Sequence, residues 1–275
     1  MSPIQEVFSP NSQQFPAEKF YKVAVIQWAN EVDTPLDVTA VQAEAYKQTN
    51  RKALEKYIRE AATHGAQLVV TPEFAVVGYP TEVGDQFFSR QNISPYVEPI
   101  PGTSTNFFSD LARELNITIH FGMVEKDARS DSYFNAQVAI SPQGKILGVY
   151  RKISLFGDES NYVSAGSELV TYQSPIGKIG LAICADIYNS KVMGSYKTQG
   201  VQALTVPASW TIHNSAMSYF QSAARSTSAY ILGANHFYFP DSGVVNPDGS
   251  KQSHIRQSMG VAYGFIPLLK RQNLR

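Results

Sequence analysis

The chain of 275 residues has a single cysteine, Cys184, so no disulfide can close within it. One lone thiol fits a reducing compartment. The chain also lacks an excess of charge: 23 Lys and Arg stand against 23 Asp and Glu. Lys270, Arg271 and Arg275 read as a solvated tail, too few to suggest a nucleic-acid partner. No run approaches about 18 apolar residues, so no membrane-spanning helix is expected. The opening MSPIQEVFSPNSQQFP has no basic or apolar region of the kind a signal peptide needs. A cytoplasmic protein is the resulting expectation. His64, His120, His213, His236 and His254 are scattered and form no His-Glu-x-x-His pattern. With no second cysteine either, no metal site is expected. A Gly-x-Ser-x-Gly elbow, a P-loop and a Gly-x-Gly-x-x-Gly turn are all missing, and no cofactor is implied.

What is present suits a globular enzyme-sized domain: 43% apolar and 12% aromatic residues, enough for a core and a pocket. Residues 1–20 are polar and proline-containing and read as an N-terminal extension; residues 21–275 read as one domain. KVAVIQW at Lys22–Trp28 is a buried-strand run. Residues 41–64 place Val41, Ala45, Leu54, Ile58, Ala61 and Ala62 at roughly helical spacing, with Gly65 as a stop. QLVVT at 67–71 is the next strand, closed by Pro72. Strand, helix, strand is the opening of a layered α/β domain. A helix over 103–116 and a strand over 117–124 follow. Hairpins are expected around Ser141–Gly144, Ser174–Gly177 and Asn246–Gly249. Between the last two lie helices near 189–200 and 214–227 and strands at 203–206 and 230–234. The sheet is therefore mixed, and helices cover it.

Three strand ends carry residues with chemistry. Cys184 follows the apolar run Gly177–Ile183, at the end of a strand where α/β sheets place ligands. A buried structural cysteine is the bland alternative. Glu73 follows strand 67–71 directly, and it would share a rim with Cys184 if their strands are neighbours. Lys152 follows strand 145–150 and is flanked by apolar residues. Surface charges would be the ordinary reading of either alone. Together the three types form a working set. A thiol with an ordinary pKa of about 8.5 needs a base, a carboxylate can take its proton, and an ammonium can hold an oxyanion.

These residues sit in Thr71-Pro-Glu73 with Gly78-Tyr79-Pro80, in Tyr150-Arg-Lys152-Ile-Ser-Leu155, and in Gly180-Leu-Ala-Ile-Cys184-Ala-Asp186. Pro101-Gly102, Phe121-Gly122, Tyr230–Asn235 and Ser242–Gly249 support them. In this order, over about residues 20 to 250, they resemble the nitrilase superfamily of carbon–nitrogen hydrolases. The resemblance implies a four-layer αββα sandwich and a cofactor-free Glu–Lys–Cys triad. Glu73 would be the base, Lys152 the oxyanion stabiliser, Cys184 the nucleophile, and the Ala185 backbone N–H a second oxyanion donor. The family's second glutamate would be Glu159, with Asp158 as its neighbour and competitor. Tyr79, Tyr188, Ser209 and Trp210 are candidate substrate contacts, core aromatics being the alternative for the rings. A homodimer is also implied. Departures are visible after the cysteine, where Ala185-Asp186-Ile-Tyr188-Asn189-Ser190 replaces an aromatic and an Arg-Phe-Pro-Glu run. Cys-Ala-Asp instead of Cys-Trp-Glu favours an amide substrate over a nitrile. Three readings follow: an amidase acting on a small amide with water; a nitrile, carbamoyl or acyl-transfer enzyme on the same fold; and a binding protein that kept the pocket.

Overall fold

The computed structural model describes residues 19–80, 88–212 and 215–269. Most of the expected extension, residues 1–18, lies outside them, as do His213, Asn214 and the C-terminal cations. The elements in chain order are β1 (Phe20–Gln27), α1 (Ala40–Thr63), β2 (Leu68–Val70), α2 (Arg90–Ile93), α3 (Thr103–Leu115), β3 (Thr118–Lys126), β4 (Tyr133–Ile140) and β5 (Ile146–Arg151). Then come β6 (Val170–Ser174), β7 (Gly177–Leu181), α4 (Ser190–Thr198), β8 (Ala203–Ala208), α5 (Ala216–Thr227), β9 (Tyr230–Asn235), β10 (Ser242–Val245), β11 (Lys251–Ile255) and β12 (Gly260–Pro267). Single 3₁₀ turns at Gly157–Asn161 and Cys184–Tyr188 complete the set that matters for the site.

Two six-stranded sheets form, ordered β12-β1-β2-β3-β4-β5 and β11-β10-β9-β8-β7-β6. In each, three central strands are parallel and hairpins add antiparallel flanks. Their facing sides bury Val23, Val25, Leu68 and Val70 of one sheet against Ile179, Ala203, Leu232 and Val244 of the other. Helices α1 and α3 cover the outside of the first sheet through Leu54, Ile58, Phe108 and Leu111. Helices α4 and α5 cover the second through Val192, Met193, Tyr196 and Phe220. This is the expected four-layer αββα sandwich. It explains the near-continuous apolar strands: their central members are covered on both faces.

Local signals explain most boundaries. Thr39 caps α1, its side chain accepting from the Gln42 N–H while the Gln42 side chain accepts from the Thr39 N–H. The helix stops at Thr63, and Gly65 takes a φ of +83° that a side chain would resist. One expectation is corrected. Val41 is exposed, and the buried face of α1 instead includes Lys47, Asn50 and Arg51. Those polar groups are satisfied internally: Lys47 Nζ donates to Glu98 at 2.7 Å and Arg51 to Ser104 at 3.0 Å. The final hairpin is also not the end of the sheet work. Strand β12 runs antiparallel along the whole of β1 and closes the first sheet's edge.

A buried polar cluster lies between the sheets. His120 Nδ1 meets Thr205 Oγ1 at 3.0 Å and its Nε2 meets Tyr172 Oη at 2.8 Å, while Gln137 Nε2 donates to Thr205 at 2.7 Å. Burial pushes His120 down to about 3, so it stays neutral when folded. An unfolded chain protonates this histidine below about 6.5, so as pH falls from 6.5 towards 3 the unfolded state binds more protons. Stability should drop there by about 1.4 kcal/mol per pH unit for this proton. Denaturant titrations at stepped pH should show the acid slope of His120→Gln reduced by that share.

Candidate active site

Glu73 lies three residues beyond β2, in a turn held tightly against β3. The Val76 N–H donates to the Gly122 carbonyl at 3.2 Å, and the His236 Nε2–H donates to the Glu73 carbonyl at 2.5 Å. A Cβ on Gly122 would sit 2.7 Å from both Phe74 N and Pro72 O, so only glycine lets the turn approach β3 this closely. Phe74 adopts a φ of +50°, in the left-handed region that bulky residues avoid. The result is a carboxylate 2% exposed at the crevice between the sheets.

Lys152 follows β5 and is equally buried. Its Nζ donates to Glu73 Oε1 at 2.8 Å and to Glu159 Oε2 at 2.6 Å. Glu159 is held by the 3₁₀ turn after β5, where its Oε2 also accepts from the Phe156 N–H at 2.7 Å. Asp158, its sequence neighbour, is exposed and bonded locally to Asn161, so of the two it is Glu159 that meets Lys152. Asn135, on β4, donates from Nδ2 to Glu73 Oε1 at 2.7 Å and to Glu159 Oε1 at 2.9 Å.

Cys184 comes from the other sheet. Glu73 and Lys152 hang from the first sheet and Cys184 from the end of β7 in the second. They therefore converge across the sandwich, not along one rim as neighbouring strands would have required. The thiol opens the 3₁₀ turn Cys184–Tyr188 with a φ of +43°. Buried Asp186 fixes this strained turn: its Oδ2 accepts from the Ile183 N–H at 2.9 Å and Tyr150 Oη at 2.8 Å, and its Oδ1 from the Ser154 N–H at 2.8 Å. Ala185 follows the thiol in the same turn. Ser209 joins the two halves through its backbone. Its N–H donates to Glu73 Oε2 at 2.8 Å, and Cys184 Sγ faces its carbonyl at 3.9 Å.

The electrostatics follow from burial. Desolvation raises Glu73 above the ordinary carboxylate range, Lys152 opposes that shift, and Glu159 adds to it. Desolvation works against the Lys152 ammonium, but Glu73 and Glu159 outweigh it and keep it protonated. Burial and the Glu73 charge push the Cys184 thiol well up, so it rests as S–H. Tyr79 is pushed up by burial and by the nearby Glu73, which places its phenol beside the cluster. Its ring stands edge-on to His236 at 5.5 Å. Tyr188, half exposed, and buried Trp210 lie 5.5 Å apart beside Tyr219. Part of the loop 78–100, residues 81–87, lies outside the described residues.

Four contributors were not singled out from sequence: Asn135, Tyr162, Asp186 and His236. Tyr162 packs against Phe74 at 6.5 Å and its phenol is raised by burial and by Glu159. The signal for Asn135 was a polar residue inside the otherwise apolar strand YFNAQVAI; that for Asp186 was a carboxylate two residues after a strand-end cysteine.

The carbon-nitrogen hydrolase family model matches residues 22–269. The chain belongs to the carbon-nitrogen hydrolase family. Human omega-amidase NIT2 is 29% identical over 266 residues, covering 87% of this chain and 91% of that one. The Pongo abelii omega-amidase NIT2 is 30% identical, covering 80% and 83%. Saccharomyces cerevisiae Nit3, of branch 10 of the nitrilase superfamily, superposes with a TM-score of 0.74 at 21% identity over 90% of each chain. An amidase from Nesterenkonia sp. gives 0.72 at 19% identity, covering 93% and 94%. This carbon-nitrogen hydrolase is thus an amidase-like member of the nitrilase superfamily, as its motifs led one to expect. Among its described residues, no helix is long and apolar enough to cross a membrane.

Asp186 gives a test of how the thiol's turn is held. Asp186→Asn turns an acceptor of three hydrogen bonds into a group with one oxygen and an NH₂, leaving a buried donor opposed to a donor. Thermal or denaturant unfolding should show a loss of about 1–3 kcal/mol, against near-zero change for an exposed control such as Asp158→Asn.

Proposed function

We propose that this chain hydrolyses the C–N bond of a small amide through a thioester on Cys184, with Glu73 as base and Lys152 as oxyanion stabiliser. The observation that carries this reading is the buried Glu73–Lys152–Glu159 ion cluster joined through the Ser209 backbone to the Cys184 thiol. A thiol held as S–H beside an ionised carboxylate is poised for base-assisted attack, not for attack as a free thiolate.

Glu73 takes the proton from Sγ as sulfur adds to the amide carbon. The carbonyl oxygen becomes an oxyanion between the Lys152 ammonium and the Ala185 N–H. Glu73 returns the proton to the nitrogen, the C–N bond breaks, and ammonia or an amine leaves. Water then gives a proton to Glu73 and adds to the thioester. The C–S bond breaks, the proton returns to sulfur and the acid departs. Glu159 holds Lys152 through a second ion pair beside Glu73 and keeps its ammonium directed at the oxyanion. Tyr79, Tyr188, Ser209 and Trp210 line the acyl site, and their flat rings suit an apolar or aromatic acyl group. The omega-amidase relatives support an amide as the substrate class. A nitrile, a carbamoyl compound or an acyl acceptor other than water would use the same thioester, and a product assay across these classes separates them.

Cys184→Ala should abolish amide turnover and Cys184→Ser should leave little; ammonia release by the alanine variant at the wild-type rate would sink the reading. Because burial raises Glu73, the base is lost as pH falls through a value above the ordinary 4.5. The acid limb of kcat/KM should therefore lie above that value, and Glu73→Gln should remove it together with at least about 100-fold of the rate.

A further inference from the structure

We propose that Asn135 is a positioning residue for the base: its amide clamps the Glu73 and Glu159 carboxylates on either side of the Lys152 ammonium. This deepens the proposed function and rests on its Glu–Lys–Cys reading. Three observations support it. First, one NH₂ group reaches both carboxylates, at 2.7 Å and 2.9 Å. Second, the same residue registers the lysine, since the Lys152 N–H donates to the Asn135 carbonyl at 2.9 Å. Third, Asn135 Oδ1 is fully buried and has no hydrogen-bond partner among the described residues. A buried acceptor without a partner is costly. Turning the amide over would place that oxygen against two carboxylates, which is worse. The fold tolerates an unsatisfied oxygen in order to direct the NH₂ at the glutamates.

The charge count explains why an amide belongs there. Two carboxylates face one ammonium, so one negative charge is uncompensated. A second cation would cancel that charge and compete with Lys152 for Glu73. An amide supplies two partial positive hydrogens and no titratable proton. The base then keeps one defined ionisation, set by the groups that face it: Lys152 after β5, Glu159 in its 3₁₀ turn, Cys184 after β7, and the phenols of Tyr79 and Tyr162. His236, on the carbonyl side of Glu73, is pushed down to about 4 and stays neutral.

The test compares wild type with Asn135→Asp, Asn135→Leu, Glu73→Gln and Cys184→Ala as full-length chains. Each is exposed to fluoroacetamide over a pH series, and adducts are counted by intact mass. In that labelling, sulfur bonds to the methylene carbon, the C–F bond breaks, fluoride leaves and the thiol proton passes to the base. Asn135→Asp keeps the shape but adds an acid that shares a proton with Glu73. Its acid limb should move up by about one pH unit or more, with the rate recovering above it. Asn135→Leu removes both the clamp and the orphaned oxygen. It should label at least about tenfold more slowly at every pH, while its melting temperature stays within a few degrees of wild type. The inference is overturned if both variants keep the wild-type limb and rate, or if they label slowly only in proportion to a lowered melting temperature. The underlying triad reading fails separately, if Cys184→Ala gains the same label or if Glu73→Gln keeps the wild-type profile.

Discussion

One buried ammonium shared by two buried carboxylates is the constraint to which the rest of this structure answers. Burying three charges is expensive, and the cost is recovered only when geometry is close and every remaining lone pair is met. Here Glu73 Oε2 has the Ser209 N–H, Glu159 Oε2 has the Phe156 N–H, and Asn135 serves both glutamates. Removing the Lys152 ammonium leaves both carboxylates buried and uncompensated, a loss of about 3–5 kcal/mol in comparable sites. The cluster therefore does more than supply groups for chemistry. It ties the turn after β2, the turn after β5 and the loop after β8 into one unit, because each contributes a member.

The sandwich makes this possible by letting two sheets share one site. The first supplies the carboxylates and the ammonium, the second supplies the thiol, and the parallel bridge between Trp28 and His236 ties β1's end to β9's end near the Glu73 turn. Strain accumulates on both sides of the crevice. Phe74 and Cys184 both adopt positive φ, at about 1–3 kcal/mol each. Both are offset locally, by the Gly122 approach on one side and by the three hydrogen bonds to Asp186 on the other. Strained positions facing each other across a crevice are where a fold has been spent on placing side chains.

Much of this was legible in the chain itself. Strand runs such as KVAVIQW, the turns at Ser141–Gly144 and Asn246–Gly249, and the stop at Gly65 act through neighbouring residues and appear where expected. Glu73, Lys152 and Cys184 were visible because charge and sulfur at strand ends break an apolar pattern. What stayed hidden depends on contacts distant in sequence. Asn135 looks like a weak point in a strand until the residues 62 and 24 positions away arrive on its NH₂. The polar face of α1 is explained only by Glu98 and Ser104, which lie more than one element later. Strand β12 is defined by pairing with β1 at the opposite end of the chain, and its own sequence GVAYGFIP carries two glycines and a proline. Sheet membership escaped for the same reason: no local feature says that β2 and β7 lie in different sheets.

The electrostatic arrangement also decides which kind of thiol enzyme this geometry suits. A cysteine at a helix start or beside a protonated histidine rests as a thiolate and attacks unaided. Cys184 has the reverse environment: burial and the Glu73 carboxylate both favour the neutral thiol, and Lys152 only partly opposes them. A resting thiolate would compete with Glu73 for the single ammonium and add one more negative charge to stabilise. Keeping the proton on sulfur leaves Lys152 free of that competition until an oxyanion forms. In the proposed reaction charge moves within the site: as sulfur loses its proton to Glu73, one carboxylate is neutralised while one oxyanion appears, and the net charge around Lys152 stays constant. A buried site with a fixed charge total needs little reorganisation during the reaction, which is the condition under which buried electrostatics lower a barrier most.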